Sequence, residues 1–190
     1  MLDQLLELAK QYGADAVVKN NAIPNEKNDD VIKETGISML SGLQEMATGG
    51  NLGDLAGLLS GKSKLDSSNP VVKQLTKKVS NNLGKKFNLP AETTNSVASN
   101  MIPKILGGLL NKAKDPKQKG FNIEDLVGSI SGGKGGDLME MVTKYGGAFG
   151  LDQNGDGKVD LQDAISALSG NAKSKKGGLG GLLGGLFGKK

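Results

Sequence analysis

The sequence contains no cysteine, histidine, tryptophan or arginine. The missing cysteine excludes disulfides and thiol chemistry. Together with the missing histidine it removes the common zinc sites and every Ser-His or Cys-His nucleophile pair. Catalysis would have to run on carboxylates, Lys, Ser or Tyr, and no convergent set of these stands out, so a non-enzymatic protein is expected. Aromatic residues make up 3%, which leaves burial to Leu, Val, Ile, Met and Ala and favours helix packed on helix; the expected fold class is all-α. All 24 basic residues are Lys. Base and phosphate recognition leans on Arg forks and aromatic stacking, so nucleic acid is not an expected partner. No apolar run reaches the length of a membrane span. The first ten residues, M-L-D-Q-L-L-E-L-A-K, carry Asp3 and Glu7 and no basic leader. They do not read as a signal peptide, and the expected location is the cytoplasm.

The chain does have 190 residues and 30 glycines. That length holds one ordinary domain and an appendage, and the glycines, several in pairs, imply short, often interrupted helices. The net charge of +4 hides a block pattern: −5 over residues 1–60, +9 over 61–120, −5 over 121–170 and +5 over 171–190. The lysine-rich block can face the acidic ones within the molecule, or be a solvated helix surface.

Apolar residues at helical spacing mark a first helix over 2–19, with Leu2, Leu5, Leu6, Ala9, Tyr12, Ala16 and Val17 on one stripe. After a loop around Pro24, Asn28 is placed to cap a second helix whose first turn holds Asp29 and Asp30. Its inner side is read as Val31, Ile32, Ile37, Leu40, Leu43 and Met46, and Gly49 and Gly50 stop it. A short third helix carries Leu55, Leu58 and Leu59. Asn69 followed by Pro70 starts a fourth, which Gly84 is expected to end. Pro103 interrupts the next helical pattern and predicts two helices, 90–101 and 103–113, meeting at an angle. Ser96, Ser99 and Asn100 beside that bend either line a polar cleft or, as the simpler expectation, permit close helix contact. Asn122 caps a further helix with Leu126, Val127 and Ile130 inward.

The run N-L-G-K-K-F-N-L-P-A-E-T-T-N-S-V-A-S-N-M-I-P-K-I-L-G-G-L-L, residues 82–110, resembles the YidB-like bacterial family. There a helix ending in Leu-Gly is followed by a short apolar turn and a Ser/Thr/Ala-rich helix that leads into Pro-Lys-Ile. The matching positions are Leu83, Gly84, Leu89, Thr93, Val97, Ala98, Ile102, Pro103, Lys104 and Ile105. The resemblance extends over residues 1–131. It implies a multihelical, superhelical domain and brings no assigned activity and no catalytic residue. It covers neither of the two segments that follow.

The first of these is D-Q-N-G-D-G-K-V-D-L-Q-D, residues 152–163. Oxygen-bearing side chains occupy loop positions 1, 3, 5, 9 and 12 as Asp152, Asn154, Asp156, Asp160 and Asp163, with Gly157 at the sharp turn. Lys158 stands where only a main-chain oxygen is needed, and Val159 where an apolar residue packs the loop. This is the EF-hand pattern for Ca²⁺; the plain alternative is a solvated acidic turn built on Asn-Gly and Asp-Gly. Asp163 is a methylene shorter than the usual Glu, as in dockerin modules, so Mg²⁺ is the competing ion. A single loop implies weak affinity, on the order of 10 µM to 1 mM.

The second segment is the tail, where Leu179, Leu182, Leu183, Leu186 and Phe187 share one helical face between lysine pairs. Such a face suits a weak anionic membrane contact or a partner's groove. The four glycines among these residues cost roughly 3 to 4 kcal/mol of helix propensity against Ala, which favours disorder in isolation.

The expected organisation is a helical domain over 1–131, a flexible glycine-rich joint at 132–136, a single EF-hand over 137–170 and a Gly/Leu-rich tail over 171–190. The expected function is a calcium-binding scaffold or protein-interaction protein, its partner an unidentified protein or a second copy. The alternative is a peripheral membrane or self-assembling structural protein acting through the tail.

Overall fold

The computed structural model describes residues 1–115, 117, 121–133 and 135–147. Among them are seven α-helices and no strand. Helix α1 (Leu2–Gly13) widens into a π-helical turn, Ala14–Val18, closed by the Lys19 N–H donating to the Ala14 carbonyl at 3.2 Å. A 3₁₀ turn, Asn25–Lys27, leads into α2 (Asn28–Thr48), followed by α3 (Leu52–Leu59), α4 (Pro70–Phe87), α5 (Ala91–Lys114), α6 (Ile123–Ser131) and α7 (Gly136–Gly147).

The helices start where the sequence supplies acceptors for their unpaired N–H groups. Asn69 accepts from the Val71 and Val72 N–H groups at 2.9 and 3.3 Å, with Pro70 as the first helical residue. Asn122 and Asp125 form a reciprocal box of 2.9 and 3.0 Å at the start of α6. Asn28 does not act as the expected cap. It is the first residue of α2, buried, and its side-chain oxygen has no protein partner, because the preceding 3₁₀ turn already brings the chain in helically.

Two predicted breaks are absent. Helix α4 runs through Gly84 to Phe87 and ends at Asn88, whose φ of 55° gives the left-handed stop. One glycine costs only about 1 kcal/mol inside a helix, less than the burial of Leu83 beside it returns. Helix α5 is a single element with Pro103 inside it. The N–H that Pro103 lacks would have bonded the carbonyl of Ser99, which is exposed, so water can serve it. Met101, Ile102, Ile105 and Leu106, all fully buried, hold the helix in place on both sides of the proline.

The core is one contiguous apolar cluster. Helix α4 lies along α5 and α2, while α1 packs against α2 and α5. The axes approach closely at glycines: a Cβ at Gly42 of α2 would stand 2.5 Å from a Leu75 methyl of α4, and one at Gly108 of α5 2.7 Å from a Leu8 methyl of α1. Because α1 is clasped by two helices, its buried arc is rotated from the expected stripe. Leu8 is inside, Leu6 is half-buried and Leu2 is 39% exposed. On α2 the same correction applies, with Met39 in the core and Ile37 38% exposed.

Candidate functional site

The residues of the expected metal loop, Asp152, Asn154, Asp156, Lys158, Asp160 and Asp163, lie outside the described residues, and so do Leu179, Leu182, Leu183, Leu186 and Phe187 of the tail. What is described is the helix that leads toward the loop and the surface it rests on. Helix α6 ends in glycines with positive φ, 62° at Gly132 and 85° at Gly133, and the Gly133 N–H returns to the Gly128 carbonyl at 3.0 Å. Gly135 is closely packed: a Cβ there would lie 2.7 Å from the Ser131 hydroxyl and 2.8 Å from a Val127 methyl. The chain therefore turns tightly and delivers α7 back onto the domain.

On α7, Leu138 is 1% exposed and Val142 0%, and both belong to the common core. Met139 and Met141 are partly buried against it. The receiving surface is α3, with α6 at one side. A Cβ at Gly53 of α3 would meet the Met141 methyl at 3.8 Å, ordinary contact, so the glycine leaves a shallow seat for a long flexible side chain. The helix predicted to enter an EF-hand is thus part of the helical core, joined through apolar contact.

Charge is arranged as the blocks in the sequence allow. Lys78 pairs with Glu45 at 2.5 Å, Lys86 with Glu34 at 2.5 Å and Lys112 with Glu7 at 2.6 Å, each joining the lysine-rich stretch to an acid of the first sixty residues. Glu34 also accepts from the Ser38 hydroxyl at 2.9 Å, and Ser38 accepts from Asn82 at 2.8 Å, a polar chain that fixes α4 on α2. Ser38 is fully buried with its proton committed to a carboxylate, which suits register rather than nucleophilic chemistry.

Two depressions flank α5. The smaller, about 330 Å³, lies at the π-helical turn and is lined by Asp15, Lys19, Ser96, Asn100 and Lys104 among others. There Lys19 donates to Asp15 at 2.6 Å, and this bond together with its charge holds the Asp15 carboxyl below its ordinary value and the lysine above its own. The larger, about 430 Å³, runs between α4 and α5 and includes Lys73, Lys77, Asn95 and Ser99. Ser96, Ser99 and Asn100 therefore face solvent depressions, not a close helix contact as the simpler expectation held. Lys73 and Lys77 belong to the lysine-rich block, for which the sequence offered only acids within the molecule or a solvated helix surface. The signal for the groove was Ser80 and Thr94, small polar residues inside apolar stripes, whose hydroxyls meet at 2.8 Å where the two helices join.

Among the described residues no group of three or more carboxylates, cysteines or histidines stands where it could hold a metal ion. No described helix is long and apolar enough to cross a membrane. No family model matches the chain, and comparison with curated proteins and with solved structures gives no match.

Proposed function

We propose that the protein is a non-enzymatic calcium-binding scaffold or protein-interaction protein. Its ion is held by Asp152, Asn154, Asp156, the main-chain oxygen of Lys158, Asp160 and Asp163, and residues 1–131 serve as a YidB-like helical platform. The donor set suits a hard divalent cation: four carboxylates, an amide oxygen and a main-chain oxygen, with no sulfur or imidazole. A bound cation supplies the charge that lets those carboxylates share one short loop.

The observation that supports this reading is the seating of α7. Leu138 and Val142 are buried in the common core, so the helix that precedes the loop is held by α3 and α6. Whatever orders the loop then acts on a helix already coupled to the platform. The free energy of ion binding is linked to the stability of the α3–α7 contact by mass action. Asp163 reaches less far than Glu would, so Mg²⁺ competes and the affinity is modest.

The test is calorimetric titration with Ca²⁺ and with Mg²⁺, paired with thermal unfolding. At about a hundredfold excess over Kd, binding to the folded state stabilises it by about 2.7 kcal/mol. Asp152→Ala is expected to remove both the heat of binding and the rise in Tm. Equal heat and an equal rise in the variant would overturn the proposal.

A further inference from the structure

The α4–α5 groove has two unlike walls and no acid among its lining residues. Lys73 and Lys77 stand one turn apart on α4, and Asn95 and Ser99 one turn apart on α5. The buried side chains of Val72 and Ser80 contribute to the floor. Lys78, Lys86 and Lys112 are closed onto acids elsewhere in the domain. Lys73 and Lys77, by contrast, have no ion pair among the described residues, and the Asn95 and Ser99 side chains make no hydrogen bond there. At the floor, Thr94 donates to the Ala91 carbonyl at 3.1 Å and so accepts from Ser80, which leaves the Ser80 oxygen as an acceptor.

The dimensions indicate an extended ligand. The lining runs from Val72 to Asn81 on α4 and from Ala91 to Pro103 on α5, roughly 13 to 18 Å at the helical rise. An extended peptide of four or five residues covers that length at about 3.3 Å per residue. Side chains at i and i+4 on a helix stand about 5 to 6 Å apart. Alternate residues of a strand repeat at nearly the same interval, about 6 to 7 Å, and point the same way. Two lysines at that spacing therefore match carboxylates at alternate positions of an extended chain. The amide of Asn95 has both donors and an acceptor for the peptide main chain.

We propose that the α4–α5 groove binds an extended acidic segment of a protein partner, with carboxylates at alternate positions on Lys73 and Lys77. Neither arginine nor an aromatic ring lines the groove, which disfavours a nucleic-acid strand. Its floor is buried between two helices, where a flat bilayer surface does not reach. The proposal rests on the interaction half of the function proposed above and is independent of its metal half.

The test uses the full chain and a fluorescein-labelled peptide of about eight residues alternating Asp and Ser, read by anisotropy in chelator and in Ca²⁺. Binding is expected in both, weakening with salt. The double variant Lys73→Glu with Lys77→Glu is expected to bind about tenfold more weakly, two exposed pairs having turned from attraction to repulsion. Asn95→Asp, on the opposite wall, is expected to weaken it too. Lys85→Glu, exposed on α4 beyond the groove, is expected to leave binding unchanged. All three keep helix-compatible residues at exposed positions, and circular dichroism confirms their fold.

Three results overturn the proposal: no binding by the unaltered protein, an equal loss in Lys85→Glu, or tighter binding of an oligothymidylate or phosphatidylserine vesicles that the double variant abolishes. Calcium heat that persists in the double variant shows the loop working while the groove does not. Peptide binding that persists in Asp152→Ala shows the reverse.

Discussion

The α4–α5 hairpin and the α3–α7 pair are held together differently. Helices α4 and α5 are 18 and 24 residues long, and the Ser80–Thr94 hydrogen bond fixes their register; Lys78–Glu45, Lys86–Glu34 and Ser38–Asn82 tie α4 to α2. Helices α3 and α7 have 8 and 12 residues, and no hydrogen bond or ion pair joins them among the described side chains. Isolated helices of that length are marginal in water, so each depends on neighbours to cover its apolar face, α7 on α3 and α6, and α3 on α7, α2 and α4. A region fixed by many directional bonds keeps a surface in shape, as a binding groove requires. A region held by a few apolar side chains opens at lower cost, as a responsive element requires.

The largest expected effect lies in the first region. Ile102 is fully buried beside Pro103, and Ile102→Ala is expected to cost about 2 to 5 kcal/mol. Because α5 packs against α1, α4 and α6, the loss should appear as a lower denaturation midpoint with an unchanged m-value. A split transition in that variant would break the comparison, since it would make the centre as divisible as the edge.

Leu138→Ala removes a side chain of similar size, but at the edge. It is expected to cost about 2 kcal/mol, at the low end for such truncations, because the short helix can detach without taking the centre with it. Hydrogen exchange checks this. Amides of 52–59 and 136–147 should lose protection together, while those of 91–114 keep theirs. Equal loss in α5 would mean that α7 is an integral part of one cooperative unit.

The sequence made the helices legible wherever a local rule faced no strong competitor. Asn69 with Pro70, Asn122 with Asp125, and the stripes of α3 and α6 all follow from chemistry within a few residues. It misled where packing from distant elements outweighed a local preference. Gly84 and Pro103 each carry a penalty of a few kcal/mol at most, and the buried residues on both sides of them exceed it. Leu2 and Leu8 exchanged places because α1 meets two partners, a fact no periodicity contains. The groove was legible only in the hint from Ser80 and Thr94, for a related reason: its walls come from two helices, and only the hairpin brings Lys73 and Lys77 into one groove with Asn95 and Ser99. The proposed metal loop is the opposite case, a sequence pattern complete within a dozen residues, which is why it could be proposed from sequence at all.

The smallest expected effect is at the turn that connects the two regions, and its sign follows from one carboxylate. Between α3 and α4, Asp66 accepts from the Ser68 hydroxyl at 2.5 Å and from the Ser68 N–H at 2.8 Å. These two bonds, in that order of strength, hold its carboxyl below its ordinary 3.8. A carboxyl lowered in the folded state stabilises it fully above its unfolded value and loses that contribution as pH falls through the folded one. The turn also positions Asn69, whose N–H donates to the Asp66 carbonyl at 3.1 Å and whose side chain caps α4. Acid should therefore weaken the connection between edge and centre as pH falls through that lowered value. Asp66→Asn keeps the acceptor and removes the titration. Comparing Tm at about pH 6 and about pH 2.5, the unaltered protein is expected to lose slightly more than the variant. Superimposable pH profiles would show that the titration of Asp66 carries no measurable share of the coupling.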